Sequence, residues 1–333
     1  MDLEQKQNMK TKISKNKKPV LFIFFRKEDT TKLVFNEIKK YQPEKLYISS
    51  DGGRNPEEQA IIDELRNWID SQIDWDCDVV RLYSDVNKGC KDNVSSSISY
   101  VFEHEESAII LEDDTLPLKG FFEFVSQMLD MYKNDDKVMM ITGSNFLPHR
   151  YYKCAGDYTF TRDTQIWGWG TWKRVWNKYN VEISDLEDRI ADKSLRNTFE
   201  NLYDYRKKVN EYRNVANGNN NTWDYQFDYM FRCNEGLCIV PRDNHIKNIG
   251  FGTEISTHTP DVPKFYAQVL LQGNGTTVTE IQKLPYITCD HEYDLRLAQA
   301  RLNNDIRGSI ISRRIHKLLG WKFYMWLDGK MRF

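Results

Sequence analysis

The chain offers no glycine-rich phosphate cradle. After its first apolar run, PVLFIFF (residues 19–25), comes RKEDTT, with neither a Gly-x-Gly-x-x-Gly turn nor a Walker A sequence, so neither a dinucleotide cradle nor a P-loop is supported. Long hydrophobic runs are missing too. The best, Val20 to Phe25, is far short of the ~20 residues a membrane span requires. Six lysines (Lys6, Lys10, Lys12, Lys15, Lys17 and Lys18) crowd the N-terminus with no apolar segment and cleavage site behind them, so a cytoplasmic chain is expected. No charge sign dominates: 47 basic against 49 acidic residues leave −2, which provides no global field for nucleic acid, and no nucleic-acid partner is expected. The six cysteines are scattered without a second pair at zinc-site spacing and read as reduced thiols. No internal repeat is present.

What remains is the composition of a folded protein. At 333 residues, 40% of them hydrophobic, with 18 Tyr, 17 Phe and 9 Trp, the chain can bury a sizeable core. From Pro19, short apolar runs alternate with helix-like segments: PVLFIFF, TTKLVFNEIKKY, KLYISSD, PEEQAIIDELRNWIDSQI, DVVRLYS, NVSSSISYVFEH, SAIILEDD. That alternation predicts βαβ units and an α/β, doubly wound, mostly parallel sheet over about 19–145. Ligands gather at the carboxyl ends of such strands. Arg26, Asp51 and an acidic triplet all sit at those ends. Residues 146–289 change character, with the aromatic block QIWGWGTWKRVW, the polar insert NVANGNNN and the strand-like LCIVP. Residues 290–333 form a basic, aromatic, helical tail, either an amphipathic helix giving peripheral membrane contact or an ordinary packed terminal helix. Residues 1–18 read as a disordered basic terminus.

The triplet is Glu112, Asp113 and Asp114, between the buried-strand run AIIL and the aromatic helix GFFEFVSQMLDMY. A solvated turn is the plain reading. The alternative is a hard-cation site, since fixed carboxylates repel one another and a Mn²⁺ or Mg²⁺ ion relieves that repulsion. A second acid, Asp224, opens the helix in TWDYQFDYMF, whose Trp223, Phe227 and Met230 share one face at i, i+4, i+7. It is either a first-turn dipole partner or a general base. Trp172 and Trp176 at i, i+4 read as core, and Arg26 could be a plain ion-pair partner.

LEDD before GFFEF resembles the Glu-Asp-Asp form of the Asp-x-Asp motif in GT-A-fold glycosyltransferases, specifically the N-acetylglucosaminyltransferase I family (glycosyltransferase family 13-like) and its bacterial relatives. PVLFIFFR is similar to that family's opening strand ending in arginine, LYISSDGG to its second strand ending in aspartate, and TWDYQFDYMF to its Trp-Asp-x-Trp-type helix. VPRDNHIKNIGFGTEISTHT, Val240 to Thr259, is similar to the stretch that follows. Order and rough spacing agree from about residue 19 to 260.

The resemblance implies a GT-A (nucleotide-diphospho-sugar transferase) fold with helices on both sheet faces, the nucleotide-sugar half at 19–145 and the acceptor and base half at 146–289. It implies a metal-dependent inverting transfer of a sugar, GlcNAc or a related hexose, from a UDP-sugar to a glycan or lipid-linked glycan, as in bacterial surface polysaccharide biosynthesis, with Mn²⁺ (or Mg²⁺) as cofactor. Carried over, Arg26 and Asp51 would meet the uracil, and Lys91 stands where the family has a histidine on the same base. Glu112 would approach the donor sugar, Asp113 the ribose and Asp114 the metal. Trp223 would pack on the sugar, Asp224 would be the catalytic base, and Trp167 and Trp169 would shape the acceptor side. His258 would touch the diphosphate or metal, or be held by backbone as a loop histidine. Two other readings stand beside this: a sugar-1-phosphate nucleotidyltransferase, and a non-catalytic sugar-binding module of the same fold.

Overall fold

The first half forms as the apolar pattern predicts. Strand β1 (Val20–Phe24) is buried along its whole length, which suits a parallel strand covered on both faces. Helix α1 (Glu28–Tyr41) opens on Glu28 and Asp29, ends on Lys39 and Lys40 in accord with its dipole, and buries Val34, Phe35 and Ile38. β2 (Lys45–Ser50) follows, then α2 (Pro56–Gln72), which has Pro56 in its first turn and is capped by the Asn55 side chain accepting from Glu58 N–H at 2.9 Å. β3 (Asp78–Tyr83), α3 (Gly89–His104) and β4 (Ser107–Glu112) complete the βαβ series. The structure is a computed structural model that describes residues 17–147, 151–251 and 275–306. His258, most of the basic N-terminus and the tail beyond 306 lie outside the described residues.

One eight-stranded sheet runs through both halves of the sequence, in the order β3-β2-β1-β4-β8-β6-β9-β7. Its further strands are β6 (Val138–Thr142), β7 (Tyr158–Thr161), β8 (Trp169–Trp172) and β9 (Leu237–Pro241). β7 and β8 run against the others, so the sheet is mixed but mostly parallel. A small antiparallel pair, β5 (Thr115–Pro117) with β10 (Ile246–Asn248), starts directly after the triplet. Between these strands lie α4 (Phe121–Met131), α5 (Lys173–Trp176), α6 (Leu186–Ala191), α7 (Leu202–Ala216) and α8 (Asp224–Cys233), and α9 (His291–Ile306) closes the described chain.

Topology places the site. The chain moves from β1 outward to β2 and β3, then returns across β1 to β4, so β1 and β4 are parallel neighbours at which strand order reverses. Such a switch point opens a crevice at the strands' carboxyl ends. Here Ile23 of β1 stands opposite Glu112 of β4, so the residues that leave both strands emerge together. The main core covers the sheet, while a smaller apolar cluster under α6, α7 and α8 gathers Ile183, Leu186, Leu195, Phe199, Val209, Tyr212 and Tyr229.

Candidate active site at the switch point

A cleft of about 480 Å³ opens where β1 and β4 end, within the roughly 300–1,000 Å³ class of small-molecule sites. Arg26, Lys27, Asp51, Glu112, Asp113 and Asp114 line it, and Asn221 reaches in from the loop before α8. The triplet is held by its own turn. Thr115 Oγ1 accepts from Glu112 N–H and donates to Glu112 C=O, both at 2.9 Å. Phe25 N–H donates to Asp113 Oδ2 at 3.1 Å, tying the exit of β1 to that of β4. Behind Asp114, Ile249 N–H donates to its carbonyl at 2.8 Å, and Gly250 lies so close that a Cβ there would fall 2.3 Å from Oδ2. Only glycine leaves that carboxylate its place.

The electrostatics favour a cation. Burial, then the Asp114, Asp113 and Asp224 carboxylates, pushes Glu112 up to about 8. Asp113 is pushed up to about 6, chiefly by burial, with Lys27 opposing. Lys27 was not foreseen as a site residue. Its Nζ lies 2.8 Å from Asp114 and 3.4 Å from Asp113. Burial alone would lower its pKa, but the two carboxylates outweigh that and raise it. Cys90, in the first turn of α3, also lines the cleft; burial and the facing acids push its thiol up to about 12, so it is neutral and a poor nucleophile. The triplet's hard oxygen donors, one of them braced by a glycine, fit Mn²⁺ or Mg²⁺ better than a soft metal.

Asp51 is in the cleft wall, but its carboxylate is already engaged. It accepts from the backbone N–H groups of Gly52 (3.0 Å), Lys88 (2.9 Å) and Gly89 (2.9 Å) and from the Asn87 amide at 3.1 Å. It therefore ties the end of β2 to the N-terminus of α3, and it takes the helix-terminal donors a phosphate would otherwise use. Asp51→Ala should cost about 2–3 kcal/mol, the scale of losing charge-assisted hydrogen bonds at a buried site. Urea unfolding would show the loss, and a midpoint unchanged from wild type would refute it. Arg26 lines the cleft with Nη1 at 3.3 Å from Glu58, and Glu58 also takes two bonds from the Arg54 side chain, at 2.9 and 2.5 Å. Arg54 in turn lies over the Phe25 ring, 5.7 Å from its centroid.

Asp224 opens α8 three residues after Asn221, which lines the cleft; it is not itself among the lining residues, but it lies near enough for its charge to act on Glu112 and Cys90. Its hydrogen bond comes from the Thr222 hydroxyl, and no basic side chain among the described residues pairs with it. Two expectations are corrected. Trp223 is 2% exposed and stacks on Trp169, ring centroids 5.6 Å apart and planes 14° apart, so it offers no face to a sugar. Trp169 is fully buried as the first residue of β8 and does not reach an acceptor. Lys91, like Asp224, is not among the residues lining the cleft, although the adjacent Gly89 and Cys90 are, and it lies 3.9 Å from Asp92. Trp167 is half-buried between Phe146 and Phe251, at 4.8 and 5.4 Å. Trp172 and Trp176 are core, as their spacing implied.

No protein-family model matches the chain, and no curated protein matches it. Among the described residues no helix is long and apolar enough to cross a membrane.

Proposed function

We propose that the protein is a metal-dependent, inverting glycosyltransferase of GT-A type that moves a sugar from a UDP-sugar to a hydroxyl of a glycan or lipid-linked glycan. One observation carries this reading: the Glu112-Asp113-Asp114 turn lies at the β1/β4 switch point in the cleft, and nearby Asp224, whose charge acts on Glu112, has no cationic partner among the described residues. The two acid centres answer the two demands of the reaction, charge on the departing diphosphate and a proton on the attacking hydroxyl.

Asp114, with Glu112 and Asp113 beside it, would hold Mn²⁺ or Mg²⁺, which when bound draws off charge from the leaving group. Arg26 and Arg54 line the cleft and would offer donors toward the nucleotide end, Arg54 lying over Phe25. Asp113, anchored by Phe25 N–H, is fixed for a ribose hydroxyl. Asp224 Oδ takes the proton from the acceptor hydroxyl, and the Thr222 hydroxyl orients it. The buried Trp169–Trp223 stack supports the start of α8 from behind rather than touching sugar.

The test is a thermal-shift screen of nucleotide sugars with Mn²⁺, followed by UDP release from the donor that binds. A UDP-sugar should raise the melting temperature only when Mn²⁺ is present, because a ligand specific for the folded state stabilises it by mass action. Pyrophosphate release from a nucleoside triphosphate and a sugar phosphate would instead indicate a nucleotidyltransferase. Glycan binding with no metal-dependent affinity for UDP would indicate a binding module.

A further inference from the structure

Three carboxylates gather where β4 ends, with Asp224 near enough to act on Glu112, and among the described residues the ion pairs to this group come from Lys27. Lys27 Nζ contacts Asp114 at 2.8 Å and approaches Asp113 at 3.4 Å, across the same oxygens a divalent ion would use. Lys27 stands at the N-cap position of α1, and among the described residues its side chain makes no capping bond and no other ion pair. A lysine is also suited to movement, being a compact charge on a flexible four-carbon stem. A divalent ion and an ammonium on the same carboxylate oxygens repel each other, so both cannot hold this place at once.

We infer that Lys27 is an internal counter-cation that covers the Asp113–Asp114 face in the ligand-free protein, is displaced when a divalent ion binds there, and then meets the diphosphate of the nucleotide. This rests on the reading of the triplet as a metal and diphosphate site. The displaced ammonium loses two carboxylates, and the phosphates of a nucleotide restore a partner. Metal and nucleotide therefore strengthen each other's binding, and by linkage they do so reciprocally.

The experiment is Mn²⁺ titration of the full chain, followed by the electron paramagnetic resonance of free Mn²⁺, with and without UDP. In wild type, binding without UDP should be weak and UDP should tighten it. Lys27→Met should bind Mn²⁺ alone about 10-fold more tightly, with the gain from UDP reduced, and Lys27→Arg should stay within about 2-fold of wild type. Lys27→Gln serves if Lys27→Met does not fold, as judged by circular dichroism. Asp114→Asn separates the two claims. If it abolishes Mn²⁺ binding while Lys27→Met stays within about 2-fold of wild type, the triplet takes metal but Lys27 is not its competitor. If Asp114→Asn binds Mn²⁺ as wild type does, the metal reading falls, and this inference with it.

Discussion

Asp228→Ala is expected to destabilise the protein by about 3–5 kcal/mol, the range for breaking a buried ion pair from one side. Asp228 is 1% exposed and sits one turn after Asp224 on α8. Lys208 Nζ on α7 lies 2.9 Å away and Arg232 Nε on α8 itself 3.5 Å away. The hydroxyls of Tyr212 and of Thr164 donate to it, the latter at 2.7 Å. The alanine would leave Lys208 and Arg232 without this countercharge. Urea unfolding followed by fluorescence measures the loss, and a change below about 1 kcal/mol would mean that the network is not holding α8.

The same acid gives a pH dependence whose sign is fixed. Burial alone would push Asp228 up, but Lys208 and Arg232 outweigh it and hold the carboxyl well below its usual range. The folded state therefore binds this proton later than the unfolded chain does. The stabilisation is full above the unfolded pKa of about 4 and is lost as pH falls through the lower folded value. The gap in stability between wild type and Asp228→Ala should thus be widest near neutrality and narrow below about pH 4.

The part of the fold that could be read in the sequence is the part where burial writes a pattern. β1, β2 and β4 are near-continuous apolar runs because the sheet is covered on both faces there, and β1 and β2 are each followed by a helix of recognisable period. The acid triplet was legible for the same reason, since charge stands out at the end of such a strand. β8 was not. Trp169-Gly170-Thr171-Trp172 looks like an aromatic loop, but Gly170 allows close packing, as a Cβ there would come 2.8 Å from Val125 of α4. An indole gains from burial whether a core or a ligand covers it, so Trp169 and Trp223 could not be sorted from sequence. Lys27 is separated from Asp114 by 87 positions, and only the return of the chain across β1 brings them into contact. For Asp228 the sequence offers only Arg232 at i, i+4; its partners Lys208 and Tyr212 from α7 and Thr164 from the segment after β7 are brought to it by the fold.

The two aspartates of α8 should fail in different ways when changed, and that contrast is the sharpest test of the site. Asp224→Asn removes the carboxylate's basicity but keeps an oxygen able to accept from the Thr222 hydroxyl, and among the described residues no cation is left unpaired. Stability should stay within about 0.5 kcal/mol of wild type, as for a partly exposed substitution away from a network. Donor binding should persist as well, because the triplet, Arg26 and the Asp51 loop are untouched. Turnover should fall by about 10²–10⁴, the usual contribution of a positioned general base. The measurement is UDP release with a verified donor and acceptor at saturating Mn²⁺, alongside Mn²⁺-dependent UDP affinity on the same samples. A loss of turnover accompanied by an equal loss of UDP affinity would make Asp224 a donor-site residue. Turnover at the wild-type rate would remove it from the chemistry and move the search for the base to the other side chains around the cleft.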